Sequence, residues 1–206
     1  MSNLDLRLYL VTDHSTRYPR GLLEGVAEAV AGGVTLVQYR ATDGTRREHY
    51  ETARALLDML GSRGVPLVIN DQVDLALAIG ADGVHVGQND LPAAVVRQRV
   101  GPSRLVGLSI THEGQLKDVP AGVDYLGAGP VFPTGSKADA APALGLDMLK
   151  RITAASPLPV VAIGGISLEN ARDVFSSGVA GVAVISALSL APDPAAVARR
   201  LLAERP

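Results

Sequence analysis

The chain has 206 residues, of which 47% are hydrophobic and 19% charged, with a formal net charge of −2. This composition is typical of a globular protein with one core, and it argues against broad binding to nucleic acid or anionic membrane. The absence of cysteine excludes disulfides, thiolate metal sites and cysteine nucleophiles. No uncharged apolar run approaches the roughly 20 residues that a membrane span needs. We therefore expect one domain over residues 1–206, a cytoplasmic location and small-molecule partners; the composition leaves a homo-oligomer open.

Short apolar runs alternate along the chain with longer amphipathic stretches. Parallel strands that are buried on both faces are uninterrupted apolar runs, so we interpret eight of these segments as strands. They cover residues 8–12, 34–39, 66–69, 83–86, 105–108, 125–128, 160–163 and 181–185. Apolar spacing near 3.6 predicts helices between them, for example over 21–31, 45–60 and 167–175, the last with Ser167 as its N-cap.

Eight strand–helix repeats in about 200 residues predict a (βα)8 TIM barrel of class α/β. A doubly wound open sheet is the alternative, but that architecture usually has fewer strands. In a barrel the functional residues lie at the carboxyl ends of the strands and in the loops that follow them. Polar and glycine residues of this chain fall at those positions: Asp13, Gln38, Arg40, Asn70, Asp71, Gln88, Asp90, Ser109, the loop 129–137, Gly164, Gly165 and Ser186.

Two carboxylates, Asp71 and Asp90, follow the third and fourth predicted strands. Adjacent strand ends could bring them together, and two carboxylates completed by water and substrate phosphates form the usual protein site for Mg²⁺. Oxygen ligands without His or Cys favour Mg²⁺ over zinc. The alternative is that each aspartate caps the helix that follows it, and the residues alone leave both readings open.

Cations and glycines at other strand ends favour binding of an anion. Arg40 follows the second strand and Lys137 lies in the long sixth loop; guanidinium and ammonium groups bind phosphate oxygens, although either side chain could equally be a solvated surface charge. Gly164 and Gly165 after the seventh strand allow close approach of the backbone, and TIM barrels frequently bind phosphate after strands seven and eight. Among the histidines, His85 is expected to line the barrel and His112 to cap a surface segment.

The strand-end motifs together resemble the thiamine-phosphate synthase family over residues 8–190, nearly the whole chain. The matching segments are YLVTD at 9–13, VQYR at 37–40, VIND at 68–71, ADGVHVGQND at 81–90, GLS at 107–109, DYLGAGPVFPT at 124–134, VAIGGI at 161–166 and GVAVISA at 181–187. Each motif alone is weak, but their order and spacing together are specific.

The resemblance implies a reaction in which 4-amino-2-methyl-5-(diphosphooxymethyl)pyrimidine loses pyrophosphate and the thiazole nitrogen of a thiazole phosphate captures the resulting cation. It implies one Mg²⁺ per subunit, held by Asp71 and Asp90, and catalytic roles for Arg40, Ser109 and Lys137. The residues implied to bind the pyrimidine pyrophosphate are Gln38, Tyr39, Arg40, Ala41, Thr42, Asn70, Ser109 and Lys137. Those implied to bind the thiazole phosphate are Thr134, Gly135, Ser136, Gly165, Ile185 and Ser186.

The chain departs from the family pattern at three positions. Thr42 stands where the family usually has a lysine, which removes one cation for the pyrophosphate. Ser136 and Thr111 replace a threonine and a histidine, respectively. Two other functions remain open: a thiazole tautomerase of the same fold, in which the stretch that corresponds to residues 87–90 is disrupted, and a phosphate-binding barrel without catalytic activity.

Overall fold

The computed structural model describes residues 4–41, 43–135 and 141–206. Eight parallel strands form a closed barrel in sequential order, with β8 hydrogen-bonded to β1, so the predicted TIM barrel is confirmed. The strands are β1 Leu8–Val11, β2 Leu36–Tyr39, β3 Leu67–Asn70, β4 Gly83–Val86, β5 Leu105–Ile110, β6 Tyr125–Ala128, β7 Val160–Ile163 and β8 Gly181–Val184.

Helices cover the outside of the barrel and connect most of the strands. They are α1 Leu22–Ala31, α2 Arg46–Gly61, α3 Val73–Ile79, α4 Ala93–Val100, α5 Gly145–Ala155, α6 Ala171–Phe175, α7 Ser186–Ser189 and α8 Pro194–Ala203. Short 3₁₀ helices form at Ser15–Arg17 and Glu113–Asp118, the second of these taking the place of a helix between β5 and β6. Within the ranges given above, no helix has the length and apolar character needed to cross a membrane.

The helix after β7 begins later than the sequence predicts. Its N-cap is Asn170, not Ser167. The Ser167 hydroxyl instead accepts a hydrogen bond from the Glu169 N–H at 3.3 Å in the preceding turn. A serine side chain that bonds two residues ahead stabilises a turn as readily as a helix start, so the prediction for this N-cap was wrong.

Side chains of each strand alternate between two apolar layers. In β1, Leu8 and Leu10 belong to the layer between barrel and helices, whereas Tyr9 and Val11 belong to a smaller cluster with Leu36 and Val68. Because successive strand residues point to opposite faces, the smaller cluster fills the barrel interior. The two tyrosines of this cluster, Tyr9 and Tyr125, position the candidate site.

Gly107 in β5 makes room for two large side chains in the interior. A Cβ at this position would lie 2.3 Å from Nδ1 of His85 and 2.3 Å from Cζ of Tyr125. Both rings are buried, and each is held by hydrogen bonds, so neither can move aside at low cost.

Gly107→Ala is expected to lower the free energy of unfolding by about 1–3 kcal/mol because the added methyl group overpacks the interior. Urea denaturation followed by circular dichroism measures this change. The matched control is Gly61→Ala at the end of α2, where a Cβ meets nothing within 4 Å. That variant is expected to be neutral or more stable by up to about 1 kcal/mol; equal losses in both variants would contradict the overpacking argument.

Candidate functional site

The closed parallel barrel brings the carboxyl ends of all eight strands to one rim. Gln38 lies in β2, Asn70 ends β3 and Ser109 lies in β5, so three of the predicted site residues sit at or near this rim. Gln38 is 5% exposed, while Asn70 and Ser109 are half-buried. The barrel thus presents amide and hydroxyl groups from β2, β3 and β5 to one opening.

Asp71 follows β3 in an unusual backbone conformation. Its φ is +59°, the left-handed region that residues with a Cβ rarely occupy. Its N–H donates to the His85 carbonyl at 2.9 Å, and the Asn70 side-chain amide donates to its carboxylate at 2.6 Å. Gln72 rather than Asp71 is the N-cap of α3. The capping alternative is therefore not realised, and strain of this kind is common where a side chain is aimed for function.

Asp90 is held in a tight turn after β4. Its Oδ2 accepts a hydrogen bond from the Gly87 N–H at 2.7 Å. In the same turn the Gln88 side-chain amide donates to the Ser109 carbonyl at 2.7 Å, which ties the turn to β5. The N-cap of α4 is Pro92, so Asp90 does not cap that helix either.

The donor chemistry at these two turns fits a hard divalent cation. Asp71 and Asp90 are both exposed carboxylates on adjacent strand ends. Among the residues described above, no cluster of three or more His, Cys, Asp or Glu side chains is arranged to hold a metal. Mg²⁺ does not need such a cluster, because it usually binds one or two carboxylates and fills its shell with water and substrate phosphates.

Arg40 follows β2 directly, and its backbone is fixed by Thr12 at the end of β1. The Arg40 N–H donates to Oγ1 of Thr12 at 2.9 Å, and the Thr12 N–H donates to the Gln38 carbonyl at 2.8 Å. Thr12 is fully buried, so this junction is rigid. Arg40 also lines a cavity of about 670 Å³ between the segments after β1 and β2, whose wall includes Asp13, Arg20 and His49.

The remaining predicted residues of this segment have different surroundings. The Tyr39 side chain lies on the outer face of β2, where its hydroxyl hydrogen-bonds to Nδ1 of His49 at 3.1 Å. Ala41 packs half-buried against the same outer layer. Neither side chain therefore faces the barrel interior with Gln38, and Thr42 lies outside the described residues.

A second cavity, of about 20 Å³, brings together predicted residues from three segments. Thr134, Gly165, Ile185 and Ser186 all line it. Gly165 has φ +67°, and a Cβ there would lie 2.7 Å from Cβ of Phe132, so its backbone packs closely on the sixth loop. Gly135 is exposed in that loop, while Ser136 and Lys137 lie outside the described residues.

The buried carboxylate of Asp13 connects the segment after β1 to α7, the helix that follows β8. Asp13, 7% exposed, accepts hydrogen bonds from the Ser189 hydroxyl at 3.2 Å and from the His14 N–H at 2.9 Å. Ser189 belongs to α7, whose first residue is Ser186. Asp13 thereby links the segment after β1 to the segment that lines the small cavity.

Sequence reasoning missed a chain of buried polar side chains beneath the rim. The Gln38 side-chain amide donates to the Tyr9 hydroxyl at 2.7 Å, and the Tyr9 and Tyr125 hydroxyls are 2.9 Å apart. His85 continues the chain, with Nδ1 3.1 Å from the Tyr125 hydroxyl and Nε2 2.8 Å from the Ser109 hydroxyl. The expectation that His85 lines the barrel is confirmed. The available signal was the presence of tyrosines at the inward positions of β1 and β6.

Burial shifts the pKa values of His85, Tyr9 and Tyr125 in this series of buried side chains. Desolvation lowers the pKa of His85 from 6.5 to about 4, and the negative charge of Asp90 acts in the opposite direction as the smaller effect. Desolvation also raises the pKa of the Tyr9 and Tyr125 hydroxyls. All three side chains are therefore neutral near pH 7.

Comparison with known proteins places the chain among enzymes of thiamine synthesis. The family model described as thiamine monophosphate synthase matches residues 8–188. A thiamine-phosphate synthase of Laribacter hongkongensis is 53% identical over 97% of this chain and 95% of its own length. One from Desulfitobacterium hafniense is 50% identical over 97% of both chains. A solved structure of thiamine phosphate pyrophosphorylase from Pyrococcus furiosus superposes with a TM-score of 0.87 at 37% identity, covering 98% of this chain and 96% of the other.

The low pKa of His85 predicts a loss of stability in mild acid. Between about pH 6.5 and pH 4 the unfolded chain binds a proton at this ring and the folded chain does not, so stability falls as the pH falls through that window. Between pH 7 and pH 5, the free energy of unfolding of the wild type should therefore fall by about 1–2 kcal/mol more than that of His85→Gln.

Urea denaturation at several pH values measures this difference. Gly61→Ala, which keeps every histidine, is expected to retain the wild-type pH dependence. If His85→Gln also retains it, the acid sensitivity has another origin.

Proposed function

The chain belongs to the thiamine monophosphate synthase family, and we propose that it joins the pyrimidine pyrophosphate to a thiazole phosphate with release of pyrophosphate. The observation that carries this proposal is the pair of carboxylates at the ends of β3 and β4, held by contacts other than helix caps, beside the rim residues Gln38, Arg40 and Ser109. This arrangement suits a substrate with one polar ring and one multiply charged leaving group.

Each group of residues would contribute to one part of the reaction. As the C–O bond ionises, negative charge accumulates on the departing pyrophosphate, and a fixed guanidinium at the rim stabilises that charge. Arg40 has this chemistry, and its clamped backbone limits the entropy lost on binding. Lys137 would supply a second cation. The aminopyrimidine ring supplies the electrons that expel the leaving group, so no protein nucleophile is needed.

Asp71 and Asp90 would hold one Mg²⁺ per subunit, and this ion would neutralise charge on the pyrophosphate. Both side chains are exposed carboxylates, and each is preset by a hydrogen bond from within its own segment. Preset ligands lower the entropic cost of binding a cation.

The phosphate group of the second substrate would bind against the residues that line the small cavity, Thr134, Gly165, Ile185 and Ser186. Hydroxyl groups and close backbone approach suit a phosphate monoester better than an apolar ligand. Gly135 and Ser136 would extend this pocket from the sixth loop. We also propose a cytoplasmic location with small-molecule substrates as the partners.

A specific observation favours the synthase over the thiazole tautomerase. The turn at residues 87–90 is intact, its carboxylate is oriented, and it is tied to the strand that carries Ser109. A tautomerase needs neither a metal nor a pyrophosphate site, so it gives no reason to maintain this turn.

The purified protein is expected to release pyrophosphate and form thiamine phosphate only when both substrates and Mg²⁺ are present. A coupled pyrophosphate assay with chromatographic detection of the product measures both. Omission of each component in turn is the control. Binding of the substrates without turnover would instead support a barrel that binds phosphate and lacks catalytic activity.

Asp71→Asn is expected to raise the Mg²⁺ concentration for half-maximal activity by at least about tenfold, because a neutral amide is a weaker ligand for a hard cation. The matched control is Asp74→Asn on α3, where an exposed aspartate pairs with Arg46. That variant should follow the wild-type Mg²⁺ titration. An unchanged titration for Asp71→Asn would contradict its role as a ligand.

A further inference from the structure

The buried polar chain crosses the barrel rather than following its wall. Gln38, Tyr9, Tyr125, His85 and Ser109 come from β2, β1, β6, β4 and β5, in that order. The strand pairs β1–β6 and β6–β4 are not neighbours in the sheet, so these side chains meet only across the interior. Tyr9 and Tyr125 are no more than 2% exposed, so both side chains are shielded from bulk solvent.

With the amide nitrogen of Gln38 facing Tyr9, only one direction satisfies every hydroxyl group and ring nitrogen of this hydrogen-bonded series. The Gln38 amide nitrogen can only donate, so the Tyr9 hydroxyl accepts from it and must send its own proton to the Tyr125 hydroxyl. Tyr125 then has one remaining acceptor for its proton, Nδ1 of His85.

The imidazole ring of His85 determines the direction of the hydrogen bond to Ser109. The buried ring hydrogen-bonds to two hydroxyl groups rather than to a carboxylate, and a neutral imidazole has one donor and one acceptor nitrogen. Because Nδ1 accepts, Nε2 carries the proton and donates to the Ser109 hydroxyl. Ser109 is then left with a proton to give outward.

Both ends of the buried series of hydrogen-bonded side chains, Gln38 and Ser109, remain available to a ligand. In the part of the chain that the structure describes, the Ser109 hydroxyl hydrogen-bonds only to His85, and Oε1 of Gln38 makes no hydrogen bond. Each of these residues lies at or just below the rim. The opening thus presents one fixed acceptor and one fixed donor.

We propose that Tyr9, Tyr125 and His85 are positioning residues that lock the polarity of the site, with His85 in its Nε2–H tautomer, Gln38 presenting an acceptor and Ser109 presenting a donor. An aminopyrimidine ring carries an amino donor next to ring-nitrogen acceptors and so complements this pair. A pyrimidine with an oxo group in place of the amino group offers the wrong pattern to Gln38. This link to the substrate rests on the proposed function; the polarity itself does not.

The tautomer can be measured without any substrate. The protein labelled with ¹⁵N-histidine contains four histidines, and His14→Gln, His49→Gln and His112→Gln combined leave only His85. Long-range ¹H–¹⁵N correlation spectra are expected to show a protonated Nε2 and an unprotonated Nδ1. An Nδ1–H tautomer, or a mixture of the two tautomers, would overturn the proposal.

Two substitutions then test how the polarity is transmitted. Tyr125→Phe removes the donor to Nδ1, so a mixture of tautomers is expected; a spectrum that stays purely Nε2–H would contradict control by the tyrosine. Tyr39→Phe, which removes a hydroxyl on the outer face that bonds to His49 in the unsubstituted protein, is the matched control and should leave the His85 tautomer unchanged.

Gln38→Glu is the sharpest test because residue 38 does not contact His85. An ionised carboxylate can only accept, so every hydrogen bond in the chain should reverse and His85 should become Nδ1–H. The spectrum is recorded at a pH where the carboxyl ¹³C shift shows the introduced side chain to be ionised. Retention of the Nε2–H tautomer under that condition would overturn the proposal.

Kinetics provide a separate readout in the active enzyme. Tyr125→Phe, which touches neither rim group directly, is expected to lower kcat/KM for the pyrimidine substrate by about five- to tenfold, while KM for the thiazole phosphate stays unchanged. An equal change in KM for both substrates would instead indicate a general structural effect. Loss of the expected tautomer refutes the polarity, whereas a correct tautomer in a protein without synthase activity refutes only the proposed function.

Discussion

The hydrogen bond between the Tyr9 and Tyr125 hydroxyls is the interaction on which the interior of this barrel depends. It joins two strands that are not neighbours, with 2.9 Å between the oxygens of two buried side chains. A buried polar group without a partner costs about 1–3 kcal/mol, so each member of the chain is constrained by the next. The same contacts that satisfy the interior therefore also orient Gln38 and Ser109 at the rim.

Regular strands give way to strained or tight turns at the positions where chemistry is expected. The barrel wall is built from buried apolar residues, but Asp71 lies in the left-handed region and Asp90 closes a turn on the Gly87 N–H. Such local irregularity costs free energy, and the stable packing of the rigid strands on either side compensates for this cost. The fold thus separates stability, in the strands, from ligand chemistry, in the turns.

Local pattern was enough to predict the strands and much less informative about contacts across the barrel. All eight strands lie within two residues of their predicted bounds, because buried parallel strands are continuous apolar runs. The start of α6 was predicted wrongly, since a serine that bonds ahead supports a turn or a cap equally well. The expected cap His112 is confirmed as the N-cap of the 3₁₀ helix Glu113–Asp118. The polar chain could not be derived either: Tyr9 and Tyr125 are 116 residues apart, and nothing local reveals that their hydroxyls meet. The strand-end carboxylates were found by their position, yet only the structure removed the capping alternative.

The distribution of charge around the rim is consistent with a reaction that passes through a cationic ring. Desolvation keeps His85 neutral near pH 7, with a pKa of about 4, so no positive charge lies in the interior beneath the proposed pyrimidine position. A protonated imidazole there would repel a developing cation in a medium of low dielectric constant, where such repulsion is strong. Arg40 is instead held at the end of β2 through Thr12, at the rim, where the pyrophosphate would lie. Cations stabilise the leaving group only if they stay away from the ring that it leaves, and a neutral interior below a rim that carries Arg40 meets both requirements.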